Sequence, residues 1–150
     1  MVTNEKIITI NRPVEEVFAY VSDLPSGPEW QPGLVEVRRI TEGPEGVGTQ
    51  YNGVRNFMGR KMESIIEYTT YEPNKKLVFK SISGSTPLVQ TFLFEPTTGG
   101  TRLTARLELQ TSGLMGLAKP LIASGLRREI DSNYDNLKNM LENRVTAVSS

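Results

Sequence analysis

Two hydrophobic periods divide this chain. Up to Gln110 apolar positions mostly alternate with polar ones, and beyond it they recur every three to four residues. The first strand reads Lys6-Ile7-Ile8-Thr9-Ile10. Val14, Val17, Phe18 and Val21 then fall at i, i+3, i+4 and i+7, which predicts a one-faced helix. Pro13 suits its first turn, and Glu15 and Glu16 suit its positive end. Leu24-Pro25-Ser26-Gly27-Pro28 breaks that helix, and Trp30 follows ahead of Pro32-Gly33.

Strand follows strand after that. Val35–Arg38, Thr49–Phe57, Lys61–Tyr71, Leu77–Ser83, Leu88–Glu95 and Arg102–Gln110 carry the period-two pattern. Turns are predicted at Pro44-Glu45-Gly46, Met58-Gly59, Glu72-Pro73-Asn74, Gly84–Pro87 and Thr97-Thr98-Gly99-Gly100. Leu126, Ile130, Tyr134, Leu137 and Leu141 form a helical stripe within a helix predicted from about Leu114 to Asn143. Such a helix is roughly 45 Å long. Pro120 marks a kink or the true start. Residues 145–150 read as a frayed tail. The turns are too short for parallel crossovers, so the strands meander antiparallel. One apolar sheet face and one long one-sided helix to cover it predict a single α+β domain over residues 1–150, a curved sheet gripping its C-terminal helix.

This organisation resembles the START-like (SRPBCC) helix-grip superfamily, in its polyketide cyclase/dehydrase-like branch. The resemblance is carried by Ile10–Phe18, Val47-Gly48-Thr49, Tyr71–Leu77, Phe94-Glu95-Pro96, Gly99–Thr104 and Leu137–Glu142, in that order and spacing. It implies a seven-stranded sheet, short helices between strands one and two, and a cavity between sheet and helix. The superfamily hosts lipid and steroid-type binders, cyclases, hydroxylase domains and co-chaperone domains, so the fold does not choose among functions.

Turn positions propose a register, and register assigns faces. A Met58-Gly59 turn sets Gly53 opposite Ser64. Turns centred on Pro73 and Ser85 set Ser64 beside Ser81 and Ser81 beside Gln90. A Gly99-Gly100 turn sets Phe92 opposite Leu107 and Gln90 opposite Leu109. The inner face then carries an apolar row of Tyr51, Ile66, Phe79, Phe92 and Leu107. Beside it lies a polar band of Gly53, Ser64, Ser81, Gln90 and Leu109, and beyond that Arg55, Met62, Ser83, Leu88 and Thr111. Buried polar groups require partners, and a polar ligand group supplies them. Wet positions at an open rim are the alternative. Arg55 inside the cavity would favour a carboxylate or phenolate ligand; otherwise it is an exposed strand-end arginine. Trp30 either closes the cavity mouth or plugs the core. Leu126, Ile130 and Tyr134 face the sheet, with the Tyr134 hydroxyl a candidate for the pocket. Met58, Met62 and Met115 read as gap filling.

Composition narrows the chemistry. The chain has no cysteine and no histidine, which removes thiol nucleophiles, thiolate metal sites and the usual neutral-pH base. Seventeen basic residues balance seventeen acidic ones, so no charge footprint points to nucleic acid. No apolar run reaches a membrane span and no signal core opens the chain, so a cytoplasmic protein is expected. Glu129, Asp131 and Asp135 lie beside Arg127 and Arg128 and read as solvated i,i+4 pairs, with no metal site and no cofactor. No carboxylate points inward on the proposed register. Binding of an apolar small molecule ranks first. A cyclase or dehydratase acting by positioning ranks second, and a protein-interaction module third.

Overall fold

The computed structural model describes residues 2–57, 59–84, 87–110 and 119–144. Seven strands form one antiparallel sheet: β1 (Val2–Ile10), β2 (Leu34–Arg39), β3 (Gln50–Phe57), β4 (Arg60–Glu72), β5 (Lys76–Gly84), β6 (Leu88–Thr97) and β7 (Gly100–Leu109). Their spatial order is β1-β7-β6-β5-β4-β3-β2. Helix α1 (Val14–Ser22) and a 3-10 helix (Leu24–Glu29) carry the chain from one sheet edge to the other. Helix α2 (Lys119–Glu142) lies on the inner face. Its 24 residues span about 36 Å. Pro120 stands in its first turn, as expected of a helix start. The predicted stretch from Leu114 to Ala118 lies outside the described residues, as do Met58, Ser85, Thr111, Met115 and the 145–150 tail.

The alternating pattern builds the core. Leu77 and Leu103 from the sheet and Leu137 and Leu141 from α2 are fully enclosed. Each such side chain contributes about 1.5–3 kcal/mol through burial. The outer face keeps Lys61, Lys80, Arg102 and Arg106 in water, with Arg102 paired to Glu95 at 3.3 Å.

Three predicted pairings are displaced, the first by three residues and the other two by two. Ser64 opposes Gly84, Phe79 opposes Gln90, and Gln90 opposes Leu107. The causes lie in the turns. Pairing of Thr97 with Gly100 puts the last hairpin loop at Thr98-Gly99, where Gly99 takes φ 85°. The β4–β5 turn closes on Glu72 and Lys76 rather than at Pro73, with Asn74 at φ 64°. Two irregularities in the β4–β5 ladder, between Ile65 and Ile66 and between Tyr68 and Thr70, bring Tyr71 into the core and leave Ser83 exposed.

The C-terminal turn of α2 is clamped at the β1–α1 corner. The Arg12 guanidinium donates to the Leu141 carbonyl at 2.7 Å and the Glu142 carbonyl at 3.2 Å. It also donates to the Arg144 carbonyl. The Asn11 backbone N–H donates to the Glu142 carboxylate at 2.9 Å, and Thr101 Oγ1 donates to the Arg12 carbonyl at 2.8 Å. The Arg12 bonds take up helix-end carbonyls that would otherwise lack partners.

Candidate functional site

The inner half of the sheet nearer Gly53 and Leu109 does not close on α2. A hollow of about 190 Å³ remains there. Its floor is Ile66, Phe79, Gln90, Phe92, Ala105 and Leu107, and its roof is Ile122, Leu126, Ile130 and Tyr134. A cavity of about 150 Å³ already accepts benzene, so this one has room for a slightly larger apolar body.

Thirteen of the fifteen side chains proposed from the sequence border this space: Trp30, Arg55, Met62, Ser64, Ile66, Phe79, Gln90, Phe92, Leu107, Leu109, Leu126, Ile130 and Tyr134. Trp30 serves as a buried wall. Its ring stands 5.2 Å from that of Tyr134, and its carbonyl accepts from the Asn136 amide at 3.3 Å.

Two of the fifteen stand elsewhere. Tyr51 faces inward at the packed end, where its hydroxyl donates to Glu45. Ser81 is drawn into the ladder, its Oγ accepting from the Leu88 N–H at 2.8 Å. The polar band does not exist as a row. Gln90 sits within the apolar row Tyr68, Phe79, Gln90, Leu107, where its amide nitrogen donates to the Thr91 and Arg106 carbonyls, each at 3.2 Å.

The polar groups of the site gather instead around α2. Glu129 and Asn133 line the hollow, which corrects the expectations of a solvated Glu129 and of no inward carboxylate. Asp131, from the same acidic cluster, pairs with Lys6 at 3.1 Å rather than with Arg127. Glu129 accepts from Arg55 Nη1 at 3.0 Å, and the Gln31 side-chain oxygen accepts from Arg55 Nη2 at 3.0 Å. Arg55 is therefore neither a free anion receptor nor an exposed strand end. The side chains of this pair are 35% and 20% exposed, so it belongs to the rim. Glu63, assigned outward, is exposed. The signal for Glu129 and Asn133 was present in the sequence. They follow Leu126 and Ile130 by three residues, a spacing that flanks the apolar stripe.

Tyr134 is only 6% exposed, and its hydroxyl has no hydrogen-bond partner among the described residues. Burial raises its pKa, opposed in part by the nearby Arg55 charge. The buried Asn133 amide likewise has no side-chain partner among the described residues. Unpaired buried polar groups are costly, and two of them lie on one apolar cavity wall. Among the described residues no group of three or more His, Cys, Asp or Glu is placed to hold a metal, and no helix is long and apolar enough to cross a membrane.

The sequence profile of the family described as polyketide cyclase / dehydrase and lipid transport matches residues 1–142. The chain belongs to this family. Solved structures repeat the architecture of this family member. The protein TTHA0849 from Thermus thermophilus is 22% identical, with 99% of each chain covered and a TM-score of 0.79. The Zhui aromatase/cyclase from Streptomyces sp. R1128 is 13% identical, with 99% of this chain and 98% of that one covered and a TM-score of 0.79. A START superfamily protein from Mycobacterium smegmatis is 16% identical over 93% of this chain and 97% of that one, with a TM-score of 0.77. At these identities the likeness establishes the helix-grip fold of the family member and nothing finer. No curated protein matches the sequence significantly.

Proposed function

We propose that the chain, as one helix-grip domain, binds a small apolar molecule between its sheet and α2. One observation carries this reading: the sheet half bearing Phe79, Phe92 and Leu107 encloses a hollow also lined by Asn133 and Tyr134 of α2, which are buried and unpaired among the described residues. Apolar walls with a few polar groups converging on them are the usual makeup of a small-molecule site. Membership of a family described by cyclisation, dehydration and lipid transport supports the same reading.

Native mass spectrometry of freshly purified protein tests it. The expected spectrum shows a bound adduct that organic extraction releases. Leu107→Trp, which fills the hollow from the floor, is expected to abolish the adduct while the fold persists by circular dichroism. An adduct that survives this filling sinks the proposal.

A cyclase or dehydratase reading has one specific support. Glu129 and Tyr134 bring a carboxylate and a hydroxyl to the same hollow. Glu129 would have to leave Arg55 to act as a base, so positioning of the chain would remain the larger contribution. Turnover of a linear polyketide thioester, slowed by Glu129→Gln, is the outcome that would favour it.

A further inference from the structure

We infer that the hollow selects an uncharged ligand, one with an apolar ring body and a single carbonyl, amide or hydroxyl group, and rejects carboxylates. This rests on the binding reading above and names the ligand class for that site.

The inference follows from the charges on the wall. Arg55 is the one cationic residue lining the hollow among the described residues, and it is already committed. Glu129 and Gln31 hold its two terminal nitrogens at 3.0 Å each. A carboxylate guest would gain attraction from Arg55 and meet repulsion of similar size from Glu129. It would also lose its water, with nothing left over to offset that loss. An uncharged oxygen or amide loses far less on leaving water. It also finds what the wall offers, the Tyr134 hydroxyl and the Asn133 amide, both buried and unpaired among the described residues. A cationic guest meets the same balance with the signs reversed, attraction from Glu129 offset by repulsion from Arg55, and it too loses its water.

Isothermal titration calorimetry with three probes of one shape separates the cases: 2-naphthamide, 2-naphthoate and 2-naphthylmethylammonium. The wild-type protein is expected to bind the amide at least tenfold more tightly than either charged probe. Glu129→Gln frees the Arg55 charge without changing side-chain shape, and is expected to strengthen naphthoate binding at least tenfold relative to the amide. Circular dichroism checks that this variant is folded, and the wild-type series stands without it. Equal or tighter binding of naphthoate or the ammonium probe by the wild type overturns the inference and leaves the binding reading intact. Failure of all three to bind, in wild type and variant alike, removes the binding reading itself.

Discussion

The two ends of the same sheet solve the burial problem in opposite ways. At the packed end Phe18, Tyr71, Tyr68 and Tyr51 meet edge to face, with ring centroids 5.6, 5.2 and 5.9 Å apart in turn. Each tyrosine hydroxyl there has a partner. Tyr68 donates to the Ser22 carbonyl at 2.9 Å, Tyr71 to Glu45 at 3.2 Å, and Tyr51 to the other oxygen of Glu45. Burial, seconded by Glu45, raises the pKa of Tyr51 and Tyr71, and burial raises that of Tyr68. At the hollow end the aromatic rings of Phe79 and Phe92 stand 6.3 Å apart and the Tyr134 hydroxyl is unpaired among the described residues. One half is packed and hydrogen-bonded throughout, and the other keeps a hollow.

Truncations test that contrast most strongly. Phe94→Ala at the packed end is expected to cost ~3–5 kcal/mol in urea unfolding. Leu107→Ala, whose side chain already borders open space, is expected to cost about 2 kcal/mol, the low end for such changes. Equal losses at both ends would mean that the halves are packed alike. Removing one hydroxyl sharpens the comparison. Tyr68→Phe forfeits a satisfied buried hydrogen bond and is expected to cost about 1 kcal/mol. Tyr134→Phe gives up no protein partner and is expected to change stability by roughly zero. A loss at Tyr134 as large as at Tyr68 would show a hidden partner in the folded chain.

The smallest expected effect concerns the clamp on α2. The bond from Lys138, then that from the Asn11 N–H, lowers the pKa of Glu142. The stability this gives is complete above the ordinary carboxylate pKa and fades as pH falls through the lowered one. Glu142→Gln is therefore expected to lower the urea midpoint slightly at neutral pH, with the two proteins converging in acid. A gap that widens on acidification would reverse the assignment.

The fold was legible because period two and period 3.6 are local signals. The strand faces also survived a wrong register. Displacement by two residues keeps Ile66, Phe79, Gln90 and Leu107 on the inner face, since only an odd shift turns a strand over. What failed was cross-strand adjacency, which depends on which turn residue takes the left-handed conformation, as Gly99 and Asn74 do. Ladder irregularities then moved Ser83 and Tyr71, and nothing local in the sequence announces them. Glu129 was missed for a different reason. Acidic residues beside basic neighbours suggest helix-surface pairs, whereas its partner Arg55 is 74 positions away on β3.

The bonds from Arg12 and Asn11 to the last turn of α2 make that helix a cantilever. The pairs of Asp131 with Lys6 and of Glu129 with Arg55 brace its middle. A molecule larger than the hollow would therefore press first on Ile122 and Leu126, the roof residues farthest from the anchored turn.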